Sequence, residues 1–146
     1  MPNLVGELMP TECNLVSEDA MIYEAVKKIA SRKRGKIACV VDKEGKIKGL
    51  LTPSNILKML EVSRFGGVRD RLFAGPEVLH FLTSKYAKDI MSGPVSVHVN
   101  DGVEEAINTM LDHGFYELPV VDENMKVVGE IGFFDILSDS LENQET

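Results

Sequence analysis

The chain repeats itself, and a repeat constrains the fold more than any local signal, because whatever the first copy forms the second must form too. Ile22, Ala25, Val26, Ile29 and Ala30 mark one face at helical spacing, and Val103, Ala106, Ile107, Met110 and Leu111 repeat that spacing. Both segments read as amphipathic helices. Each is followed by a β-branched run ending in aspartate, Ile37-Ala38-Cys39-Val40-Val41-Asp42 and Leu118-Pro119-Val120-Val121-Asp122. A polar turn comes next (Lys43 to Lys46; Glu123 to Lys126), then a second strand (Ile47 to Leu51; Val127 to Ile131), so each pair predicts a β-hairpin.

The remaining parts also come in twos. An extended segment precedes each first helix (Cys13 to Val16; Val95 to Val99), and a lead precedes each of those (Val5 to Met9; Ala87 to Met91). A second helix closes each copy, from Pro53 to about Leu60 and from Phe133 to about Leu141. Thr52 is a good N-cap before a proline already set to helical φ, and Gly132 takes the cap position in the second copy. The expected fold class is therefore α/β (α+β), two β-α-β-β-α repeats: residues 1–62 and 87–142, with a helical linker at 63–86 and a polar, frayed tail at 143–146. Copies of this size have too little core to stand alone, and 44% hydrophobic content suits one shared body.

In the linker, Pro76 and Glu77 can open a helix carrying Val78, Leu79, Phe81 and Leu82. It reads either as a packed connector or, because it holds Arg64, Arg69, Arg71 and His80, as a lid or partner surface.

Charge and composition exclude several classes. With 23 acidic against 16 basic residues, the net charge of −7 argues against a chain that wraps nucleic acid or coats an anionic membrane. Apolar runs such as Ile37 to Val41 are far shorter than the roughly twenty residues a membrane helix needs. Cys13 and Cys39 show no CxxC spacing, and no secretory h-region opens the sequence, which points to a reduced, cytoplasmic protein. His80, His98 and His113 lie too far apart to predict a metal site. No nucleophile, base and orienting group stand together, and no phosphate-binding glycine loop is present, so catalysis is not expected.

The doubled series of a lead ending in Met, an Ala-centred helix, a Val-Val-Asp strand and a helix opened by Gly49-Leu50-Leu51-Thr52-Pro53-Ser54-Asn55 or Gly129-Glu130-Ile131-Gly132-Phe133-Phe134-Asp135 resembles a tandem cystathionine-beta-synthase (CBS) domain pair. The resemblance covers nearly the whole chain apart from the linker. It implies two copies packed by their sheets with pseudo-twofold symmetry, two clefts able to hold AMP, ADP, ATP or S-adenosylmethionine, and a disc-shaped homodimer. It puts Thr52 on a phosphate or ribose oxygen, and Asn55 or Asp135 on the ribose, with adenine against the opposite copy.

Two sites are expected on that basis. The first pairs Asp135 with Arg34, Gly35, Lys36, Ile37 and Ala38; the second pairs Thr52 and Asn55 with Phe115, Tyr116, Glu117, Leu118 and Pro119. Each departs from the family pattern, by Gly132 where a hydroxyl is usual and by Asn55 in place of aspartate. Arg34 and Lys36 favour phosphate at the first site. Glu117 opposes a polyphosphate at the second, which suits an adenosyl ligand with a cation, or none. Taken alone, Thr52 is an ordinary N-cap, and the run from Ser31 to Lys36 an ordinary solvated helix end. The expected function is a regulatory module that senses an adenosyl ligand and passes occupancy to an unidentified partner protein. The alternative is a ligand-free dimerisation or protein-interaction module with relic clefts.

Overall fold

The computed structural model describes residues 4–32, 36–65 and 84–145. Its elements run α1 (Val5–Leu8), β1 (Leu15–Ser17), α2 (Ile22–Ala30), β2 (Ala38–Val41), β3 (Ile47–Leu51) and α3 (Pro53–Phe65), then α4 (Ala87–Ile90), β4 (Val97–His98), α5 (Val103–His113), β5 (Glu117–Val121), β6 (Val127–Gly132) and α6 (Phe133–Glu145). The duplication holds element by element. Each copy builds a three-stranded sheet in which the first strand runs parallel to the second and the second antiparallel to the third. Even the register shift recurs, between Val40 and Val41 and between Val120 and Val121.

The aspartate that ends each second strand explains the hairpins. Asp42 Oδ1 accepts from the N–H groups of Glu44 and Lys46, and Asp122 Oδ1 does the same for Asn124 and Lys126. These local bonds set the turn and hold the Asp42 carboxyl below the usual carboxylate range, the Lys46 N–H first among the causes. Both turns need a left-handed residue, which the first supplies with Gly45 (φ 83°) and the second with Met125 (φ 63°).

Successive strand residues face opposite layers. Ala38 and Val40 pack against Ile22, Ala25 and Ile29 of α2. Cys39 and Val41 join Ile37, Ile47, Leu50 and Val121 in a core shared between the copies. β2 is buried on both faces, which is why its sequence lacks polar alternation. The turns also meet across the pseudo-twofold: Ile47 N–H donates to Met125 O at 3.1 Å, and Val127 N–H to Gly45 O at 3.2 Å.

The leads are exchanged between copies. Val5 lies in the core of the second copy, and the N–H groups of Val5 and Gly6 donate to Asp101 O and Val99 O. Ala87 and Ile90 lie in the core of the first, where Ala87 N–H donates to Ala20 O and Ile22 N–H to Lys85 O. The repeats follow one another along the chain, and the lead of each packs in space with the other.

Several expectations need correction. Helix α3 continues past Leu60 to Phe65, into the stretch assigned to the linker, and α6 continues through the residues expected to fray, to Glu145. Ala30, Ile107 and Leu111 are exposed, because only a narrower stripe of each helix reaches its sheet. The helix expected after Pro76, with Arg69, Arg71 and His80, lies outside the described residues. No described helix is long and apolar enough to cross a membrane.

Candidate functional site

Two clefts open where the start of each closing helix faces the opposite copy. The first, about 490 Å³, lies before α6 and is bounded by Glu117, Glu130, Gly132 and Asp135 of the second copy and by Pro10, Thr11, Glu12 and Arg32 of the first. This is within the range of small-molecule sites. Asp135 Oδ2 accepts from Gly132 N–H at 2.8 Å, capping the helix start. Glu130 is 4% exposed, and its Oε1 accepts from Asn14 N–H at 3.0 Å. Arg32 lies between two carboxylates, with Nη1 3.9 Å from Glu130 and Nη2 3.8 Å from Glu12.

The second cleft, about 330 Å³, lies before α3, with Ile37, Thr52, Pro53 and Ser54 on one side and His113, Gly114, Phe115, Tyr116 and Glu117 on the other. Its polar groups are tied together. Thr52 N–H and Oγ1–H both donate to Asn55 Oδ1 at 2.9 Å, and Asn55 N–H donates back to Thr52 Oγ1 at 3.3 Å. Asn55 Nδ2 also donates to Ser92 Oγ at 3.1 Å. This network caps α3 and fastens it to the lead of the second copy.

The expected residues distribute unevenly. Asp135 sits in the first cleft, and Thr52, Phe115, Tyr116 and Glu117 in the second, while Asn55 stands behind Thr52. Glu117 borders both clefts, and its carboxylate accepts from Lys36 N–H at 2.9 and 3.2 Å. Lys36 was expected to face phosphate in the first cleft; its Nζ instead donates to Arg32 O. Ile37, expected in the first cleft, lines the second. Ala38, Leu118 and Pro119 are fully buried strand residues. Arg34 and Gly35 lie outside the described residues.

Sequence reasoning missed Arg32, Glu12 and Glu130. A signal for Glu130 existed: it is a charged residue in a buried strand, where the first copy has Leu50. Next to this cleft, burial pushes the Cys13 thiol up, and the Glu130 carboxylate pushes it further. Burial likewise pushes the Cys39 thiol well up. A third hollow, about 540 Å³, is apolar and lies between α5 and α6, among Ile107, Leu111, Phe133, Ile136 and Leu137.

Comparison with known proteins agrees with this fold. The profile of the CBS domain matches residues 5–62 and 87–142. An uncharacterized 33.4 kDa protein in the ribosomal RNA operon of Thermofilum pendens is 30% identical over 115 residues, a match covering 79% of this chain and 38% of that protein. Among solved structures, CBSX2 in complex with AMP superposes with a TM-score of 0.75 at 20% identity, over 98% of this chain and 99% of that one. The CBS domain pair of protein MJ0100, in complex with 5′-methylthioadenosine and S-adenosyl-L-methionine, gives 0.71 at 22% identity, over 92% and 97%.

Proposed function

Because the chain belongs to the CBS domain family, we propose that it is a regulatory module that binds an adenosyl ligand in its first cleft and transmits occupancy to a partner protein. The observation that carries this is the cleft itself: a hollow of about 490 Å³ spanning both copies, with Asp135 at a helix start where a carboxylate can accept from ribose hydroxyls. Two proteins of the same fold hold AMP, or 5′-methylthioadenosine and S-adenosylmethionine. A ligand touching both copies stabilises one relative placement of the sheets, and such a preference is what allosteric transmission requires. The module works in the cytoplasm without catalysis of its own.

Self-association accompanies this role. Leu111 is 75%, Phe134 64% and Leu141 52% exposed on α5 and α6, and apolar surface of this kind marks an interface. A homodimer follows, measurable as twice the chain mass by light scattering.

The second reading, a ligand-free interaction module, is favoured by one observation at the second cleft, where Thr52 and Asn55 spend their polar atoms on each other and on Ser92. Thermal shift with AMP, ADP, ATP and S-adenosylmethionine separates the two. A ligand at a hundred times its Kd adds about 2.7 kcal/mol. No shift with any adenosyl compound would leave only the interaction module.

A further inference from the structure

Resting on that reading, we propose that Glu12, Glu117, Glu130 and Arg32 make the first cleft selective by charge, so that it takes an adenosyl ligand bearing a cation and a carboxylate and rejects polyphosphate. Among the described residues its lining holds four carboxylates, Glu12, Glu117, Glu130 and Asp135, against one guanidinium, Arg32. Glu130 stands at the back of the cleft, its Oε1 accepting from Asn14 N–H and lying 3.9 Å from the Arg32 guanidinium. The Glu117 carboxylate accepts from the backbone N–H of Lys36, while Lys36 Nζ is turned to Arg32 O. A phosphate chain would bring several negative charges against this lining. A sulfonium or ammonium on the 5′ substituent would meet attraction from the same groups, strengthened where water is excluded.

Arg32 adds the second half of the preference. It lines the cleft, and its buried Nη1 has no hydrogen-bond acceptor among the described residues, Glu130 Oε1 standing 3.9 Å away. A ligand carboxylate can supply that acceptor and form a charge-assisted bond. The ligand class is therefore an adenosyl compound with an amino-acid-like tail, zwitterionic or with one extra positive charge. The first cleft is thus the cation-accepting one, the reverse of the assignment drawn from Arg34 and Lys36.

The test is calorimetric titration of the full chain at low and high salt with S-adenosylmethionine, neutral 5′-methylthioadenosine, AMP and ATP. Expected affinities fall in that order, with the cation about tenfold ahead of the neutral compound at low salt and the gap narrowing as salt screens it. Glu130→Gln should shrink the ratio of S-adenosylmethionine to 5′-methylthioadenosine affinity. Glu12→Gln, at a carboxylate 82% exposed and so without risk to the fold, should shrink it less. If AMP or ATP binds more tightly than 5′-methylthioadenosine, or if neither variant changes the ratio, the charge inference falls while adenosyl binding stands. If none of the four compounds binds, the functional reading beneath it falls instead.

Discussion

The two copies share a backbone approach and differ in what they do with it. Gly49 and Gly129 occupy matching places, where an added Cβ would stand 2.5 Å from Ser92 O and 2.6 Å from Pro10 O respectively. Beside Gly49, Leu50 and the lead residue Ser92 exchange both backbone bonds, at 3.0 and 2.8 Å, and the Ser92 hydroxyl reaches Asn55. Beside Gly129 the lead residue is Pro10, which has no N–H to give and no hydroxyl to tie down the helix start. There the next strand residue is Glu130, whose side chain reaches past the lead to Asn14 N–H. Pro10 lines the first cleft, of about 490 Å³, whereas Ser92 is bonded to the helix start behind the second, of about 330 Å³. A single proline and a single glutamate thus give two equivalent scaffolds different chemistry.

The sharpest way to break this comparison is to exchange its residues. Leu50→Glu puts a carboxylate into the apolar cluster of Ile37, Cys39, Val41 and Ile47. We expect a loss of about 2–7 kcal/mol in urea denaturation. Burial raises the folded pKa of such a carboxyl, so the loss is full above that pKa, shrinks as pH falls from it toward the unfolded value, and has lost its ionisation part below that value. Glu130→Leu is the milder exchange. It removes the acceptor of Asn14 N–H and should cost about 1–3 kcal/mol; a loss equal to that of Leu50→Glu would show that partners are not what distinguishes the two positions.

Smaller effects sharpen the comparison elsewhere. At the paired turns, Gly45→Met should lose about 1 kcal/mol, since a side chain at positive φ is strained. Met125→Gly should gain only about 0.5 kcal/mol, because glycine also frees the unfolded chain. Smallest is a rate: Glu130→Gln lowers the Cys13 thiol toward its ordinary range and should speed its alkylation at neutral pH by less than about tenfold, while Cys39 stays unreactive in its buried strand. An unchanged Cys13 rate would mean that the Glu130 charge is not felt at the lip of the first cleft.

What the sequence revealed was whatever repeats. Helix stripes, Val-Val-Asp strands and hairpins recur in two places with period and turn chemistry intact, and all of these elements form. The exchange of leads was hidden, because Val5 and Ala87 are equally apolar whichever copy they enter. The clefts were legible at their helix starts, Asp135 and Thr52, and poorly legible at their walls. Pro10, Glu12 and Arg32 come from irregular chain, where no periodicity marks which way a side chain points. Lys36 misled for the same reason: its charge was readable, but its direction depends on Arg32 O and Glu117.

The bonds between the hairpin turns carry a consequence for descent. Ile47 N–H to Met125 O and Val127 N–H to Gly45 O are one contact written twice, residue i to j and j to i, as in an isologous interface between identical subunits. The exchanged leads obey the same rule. A single unlinked copy would therefore meet a second one as a homodimer, and joining two copies in one chain keeps the halves at high effective concentration. In such a homodimer every mutation alters both clefts at once. Joining the halves in one chain removed that constraint, and Pro10 against Ser92 and Glu130 against Leu50 are the freedom put to use.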